Sequence, residues 1–128
     1  MARQLSYAAQ HSFLDDIMSR EGFVERDRLS SVLRVIKRGL AVASGLSRDA
    51  VSKSRRVQAS AAQARLLEAA AIINRILPWC GSVAQAFAWY RLEPIAAFGD
   101  QTTKELVRAG RSEHPKSYLA GIAFGGYA

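Results

Sequence analysis

Apolar positions recur at helical spacing along most of this chain, and most continuously from Ser60 to Leu77, SAAQARLLEAAAIINRIL. Leu66, Ala70, Ile73 and Leu77 stack into one stripe at 3.6 residues per turn. Ala69 and Ile76 widen it on one side and Leu67 on the other, leaving a narrow polar arc around Glu68 and Arg75. A helix this apolar is expected to be packed on more than one side. Ser60 with Gln63 has the form of a reciprocal capping box, and Pro78 is expected to stop the helix. The segment reads as a beam joining a basic amino-terminal part to an aromatic carboxy-terminal part.

Before it, Phe13, Leu14, Ile17 and Met18 predict a first helix reaching about Arg20 and halted by Glu21-Gly22. A second helix is expected from about Asp27 to Lys37, burying Leu29, Val32, Leu33 and Ile36. Gly39 either caps that helix in a left-handed conformation or lies inside a longer one at a cost of about 1 kcal/mol.

After the beam, Pro78-Trp79-Cys80-Gly81 reads as a tight corner. Ser82 with Gln85 suggests a second capping box, opening a helix to about Arg91 with Val83, Phe87 and Tyr90 on one stripe. Trp89 lies off that stripe and must meet either the chain's own last segment or a partner. Glu93-Pro94 ends the helix, and Ile95 to Gln101 reads as a loop with Phe98 plugging the core. Thr102 and Glu105 form a third capping box, for a short helix through Ala109 ended by Gly110. Pro115 suits the first turn of a last helix grouping Tyr118, Leu119 and Ile122. No strand pattern or internal repeat is visible. The fold expected is all-α, with six to eight helices: a helix-turn-helix-like segment, residues 1–58, joined through the central helix to a small helical domain, residues 59–128.

Composition narrows the function. The length and the large apolar share suffice for a real core, and no window has the roughly 18 uninterrupted apolar residues of a membrane span. The opening residues lack the apolar centre of a signal peptide, so the expected location is the cytoplasm, with no membrane partner. Cys80 is the only cysteine, which excludes an internal disulfide, and His11 and His114 are too far apart in sequence to suggest a metal site. No glycine-rich phosphate loop, carboxylate pair or nucleophile–base constellation stands out. The chain reads as non-enzymatic, with no metal and no cofactor.

The basic charge is concentrated. Residues 1–58 carry 11 Lys or Arg against 6 Asp or Glu, and residues 59–128 carry 7 against 5. Within this basic part, Ala41, Gly45 and Val51 have helix-turn-helix spacing: a small residue at a helix crossing, a glycine free to take positive φ, and a branched anchor on the second helix. Ser47 is placed to cap that second helix. Its exposed Arg48, Lys53, Arg55 and Arg56 are the candidate DNA contacts, with the guanidinium groups suited to phosphate and to base edges. A plain helical hairpin with a solvated basic face satisfies the same pattern. Eight of the eleven aromatic residues follow Ala59, where they serve either a core or an interface.

One stretch allows a comparison. Ala88-Trp89, Pro94, Phe98-Gly99, Thr102 to Leu106 (T-x-x-E-L), Gly110, Tyr118-Leu119 and the closing I-x-x-G-x-Y-A from Ile122 to Ala128 together resemble the toxin-binding domain of the Xre/MbcA/ParS antitoxin family. The part before it is similar in layout to that family's helix-turn-helix region. Thr103 stands where the family usually has proline, and Gly99-Asp100 where it has a glycine pair. The resemblance implies an antitoxin of a type II toxin–antitoxin system. Its partner would be a RES-domain toxin that consumes NAD, with the carboxy-terminal domain covering the toxin's active-site entrance and the amino-terminal domain binding promoter DNA of its own operon. The toxin-facing residues would be Trp89, Arg91, Tyr118, Phe124, Gly125 and Tyr127, in a homodimer within a larger complex. A different class also fits: a stand-alone helix-turn-helix regulator whose aromatic half only dimerises.

Overall fold

Residues 12–47, 50 and 59–123 are described by the computed structural model. Helical residues 12–17 (α1) are followed by a bend whose sides meet in an isolated antiparallel bridge, Met18 with Val24. Phe13 and Ile17 are buried as expected. The helix stops short of Arg20 because the Ser19 amide donates to the Phe23 carbonyl instead of to a helical turn.

The second expected helix is broken in two. Arg26–Leu33 (α2) ends at Arg34, which takes a left-handed conformation with φ 58°, and a new helix runs Lys37–Ser44 (α3). Ser30 holds the break from both sides: its carbonyl accepts from the Val35 amide at 3.0 Å and its hydroxyl donates to the Val35 carbonyl. The β-branched Ile36 favours the extended backbone it adopts, φ −76° and ψ 167°. Ile36, expected in the core, is therefore 73% exposed. Gly39 is neither a cap nor an insertion into α2; it lies in the first turn of α3, where an added Cβ would sit 3.3 Å from that of Val35.

The long helix Ser60–Cys80 (α4) centres the fold. Leu66, Ala70, Ile73 and Leu77 are all buried, together with Ala69, Ile72 and Ile76. Leu67 is 47% exposed, so the stripe widens through Ile72 and not through Leu67. Both expected ends shift. The amino-terminal cap is Ala59, and Gln63 is occupied elsewhere, bonded to the backbone of Val24. Pro78 falls within the final turn, where the backbone bond it removes is one of the last, and the helix ends only at Gly81, with φ 87°.

The chain turns through 114° into Val83–Leu92 (α5), capped by the Ser82 hydroxyl, which accepts from the Gln85 amide. Phe87 and Tyr90 are buried as expected. The next segment is not a plain loop. Pro94–Ile95 (β1) pairs antiparallel with Gln101–Thr102 (β2) around a 3-10 turn, Ala96–Phe98. Ile95 fills the core here, while Phe98 is only half-buried. The two-way capping box at Thr102 and Glu105 is present and opens Thr103–Arg108 (α6). Glu113–Ala123 (α7) follows, with Pro115 in its first turn and Leu119 buried.

Among the described residues the architecture is thus all-α apart from one short ribbon. One cluster of buried side chains runs from Phe13 through Leu40, Ile73 and Tyr90 to Leu119, so segments on both sides of the central helix contribute to it. The helix α4 lies against α3, α5, α6 and α7, and α3 also packs on α6. No single described helix is long and apolar enough to cross a membrane.

Candidate interaction surfaces

Of the three spaced positions Ala41, Gly45 and Val51, the first two lie among the described residues. Ala41 is buried on α3, Gly45 ends that helix with φ 72°, and the Ser47 hydroxyl accepts from the Ala50 amide at 3.1 Å. Gly45 is small for two reasons. Its conformation is left-handed, and an added Cβ would lie 3.0 Å from the Arg108 Cα, so the turn touches α6 backbone to backbone. Val51 and the four candidate DNA contacts, Arg48, Lys53, Arg55 and Arg56, lie outside the described residues.

Of the six candidate toxin contacts, Phe124, Gly125 and Tyr127 also lie outside them. Trp89 is half-buried and packs against the core cluster. Arg91, in the last turn of α5, folds back over Phe87, its guanidinium carbon 4.6 Å from the ring centroid. This cation–π contact suits a cation beside a helix carboxy terminus. Tyr118 meets Phe98 edge to face at 6.1 Å, and Phe98 stacks on His114 at 5.3 Å. His114 is exposed and the other two are half-buried, which puts a small aromatic cluster from the ribbon and α7 at the surface. Asp100, beside it, takes φ 63°, a conformation glycine adopts more readily.

Comparison with protein families, with curated proteins and with solved structures finds no match.

One cleft among the described residues is not legible in the linear sequence. Between α3, α5 and α6 lies a cleft of about 340 Å³ lined by Val35, Ile36, Arg38, Gly39, Val42, Ala43, Phe87, Arg91 and Lys104. Its cations come from three separate helices, and nothing in the linear pattern links them. The exposed Ile36 is the residue that the sequence pattern had placed inside. As for reactive groups, burial pushes the Cys80 thiol up, away from the thiolate a nucleophile requires. Among the described residues no group of His, Cys, Asp and Glu could hold a metal ion.

Proposed function

We propose that the chain is an antitoxin that binds a RES-domain, NAD-consuming toxin and neutralises it by covering the active site, and that it also binds promoter DNA of its own operon as a homodimer within a larger complex. The reading is carried by the aromatic cluster of Phe98, His114 and Tyr118. Phe98 and Tyr118 come from separate parts of the resemblance, and they meet at a surface where buried rings would act as anchors for a protein partner. Asp100 holds the left-handed backbone where the resembled family has a second glycine, so the hairpin supporting that cluster keeps the same local requirement. The surplus of basic residues in positions 1–58 supports a second, anionic partner.

A stand-alone regulator that uses its aromatic half only to dimerise is the second reading. It is favoured by Trp79 and Leu92, exposed near the ends of α4 and α5, which a second copy would cover. One experiment separates the two. A RES-domain toxin encoded beside this chain is mixed with it, and complex formation and NAD consumption are measured for the full chain and for a truncation lacking Phe124 to Ala128. The antitoxin reading expects the full chain to bind and silence the toxin. It also expects the folded truncation to bind roughly thirtyfold more weakly for each ring that served as an anchor worth about 2 kcal/mol. A folded truncation that binds and silences equally well returns those rings to another role. A full chain that dimerises and ignores the toxin supports the regulator.

A further inference from the structure

The cleft between α3, α5 and α6 combines two features that conflict in an isolated protein. Arg38, Arg91 and Lys104 line it, no described carboxylate does, and none of the three makes an ion pair with a described carboxylate. Three cations around one hollow repel one another, and the described wall offers them no anion, only the face of the Phe87 ring. Arg91 is held by the face of the Phe87 ring, and its Nε, occluded from solvent, has no acceptor among the described residues. An occluded donor without a partner is uncommon and calls for a physical reason. The site is short of acceptors and of negative charge.

The other feature is apolar. Val35, Val42, Ala43 and Phe87 also line the cleft, with Val42 40% exposed and Ile36 standing almost free at its edge. A phosphate backbone has no use for branched aliphatic side chains, whereas a protein segment carrying an aliphatic residue beside a carboxylate uses both parts of such a wall. The volume is at the low end of the roughly 300–1,000 Å³ of ordinary ligand clefts, room for one or two side chains and not for a whole helix. Gly39 keeps the floor low where any Cβ would press on Val35.

We infer that this cleft is a docking site for an acidic, leucine-type segment of a protein partner, whose carboxylate sits among Arg38, Arg91 and Lys104 while its aliphatic side chain rests on Val42 and Ile36. The inference stands whether or not that partner is an NAD-consuming toxin, and it places a second contact surface apart from the Phe98–Tyr118 cluster.

The test uses the full-length, isotope-labelled chain and a blocked hexapeptide of alternating leucine and glutamate, with a leucine–glutamine peptide and a short random-sequence DNA duplex as comparisons. Saturable NMR shifts are expected at Gly39, Val42 and Ala43 and at the Arg91 Nε–H. The glutamine peptide should bind at least tenfold more weakly. The surface double variant R38Q/K104Q, verified as folded by circular dichroism, should lose at least tenfold in affinity for the glutamate peptide. Any of three results overturns the proposal: no saturable shift in the cleft, equal binding of the glutamine peptide, or tighter binding of the duplex to the same residues. The last would make the site a phosphate contact.

Discussion

The buried phenol of Tyr90 donates to the carbonyl of Ala43 at 2.5 Å, across 47 positions of sequence. Ala43 lies in the last turn of α3, where carbonyls have no partner within their own helix. A side chain from α5 therefore completes the end of α3, and holds the helix that opens the turn motif against the helix that carries Trp89 and Arg91.

Replacing Tyr90 by phenylalanine keeps the ring and strands that carbonyl. The expected loss is about 1–2 kcal/mol of stability, read from denaturant midpoints at unchanged slope. The effect should also depend on pH. Burial first, and then the charge of Glu68, push the phenol well above its ordinary value. The folded state thus favours the protonated form, and the contribution is complete below the unfolded value of about pH 10 and is lost as pH rises beyond it. Wild type should destabilise more steeply than Y90F above that pH. Parallel curves would show that the phenol is not buried.

Gln63 performs a comparable service for the loop after α1. Its side-chain carbonyl accepts from the Val24 amide at 2.8 Å, and its side-chain amide donates to the Val24 carbonyl at 3.0 Å, as a strand neighbour would. Gln63→Ala strands both groups and should cost roughly 1–3 kcal/mol. Gln63→Glu is more informative. An ionised carboxylate can still accept from the amide but faces the Val24 carbonyl, so the folded state should raise its pKa. The variant should be weakest at neutral pH and recover part of its stability as pH falls and a carboxyl proton becomes available to the carbonyl. A Q63E protein whose stability does not rise on mild acidification would refute this geometry.

These two residues also indicate what the sequence could reveal. The stripe of Leu66, Ala70, Ile73 and Leu77, the Thr102–Glu105 box and the buried Phe87 and Tyr90 follow from local periodicity and capping chemistry, and all are found. The same local rules place Gln63 in a cap, but a backbone 39 positions away holds it instead. Ile36 continued the helical spacing of Leu29, Val32 and Leu33, yet the Ser30–Val35 bonds ended the helix before the pattern did. The cleft around Arg91 was illegible for a related reason: Arg38 and Lys104 are 66 positions apart and only the packing of α3 on α6 brings them to one hollow.

Gly45 is the tightest point of that packing. Gly45→Ala must hold a side chain at φ 72° and drive its Cβ to 3.0 Å from the Arg108 backbone. Left-handed strain of roughly 1–2 kcal/mol adds to a clash that rigid backbone relieves poorly, for a total of about 3 kcal/mol. Gly99→Ala is the matched control. Its φ is 66° and its added Cβ would meet nothing within 4 Å, so it should show the strain without the clash. Thermal melting of both variants checks the difference, and equal losses would mean that α3 and α6 are not in backbone contact.

Thr103 offers a prediction of the opposite sign. It is the first residue of α6, fully buried, and its hydroxyl finds no hydrogen-bond partner among the described residues. A buried hydroxyl without a partner destabilises by roughly 1–3 kcal/mol. The first helical position is also where proline is most at home, because the amide it lacks would find no partner within the helix and its fixed φ suits the turn. Proline restricts the residue before it to extended backbone, and Thr102 already has φ −80° and ψ 162°. Thr103→Pro should therefore remove the stranded hydroxyl and lower the entropy of the unfolded chain together, raising stability by about 1–2 kcal/mol. Thr103→Val isolates the first effect, since it keeps the shape and discards only the hydroxyl. Denaturant midpoints should rank proline above valine and valine above wild type. A valine variant less stable than wild type would mean that the hydroxyl is bonded after all, and a proline variant below valine would mean that the Thr103 amide is in use.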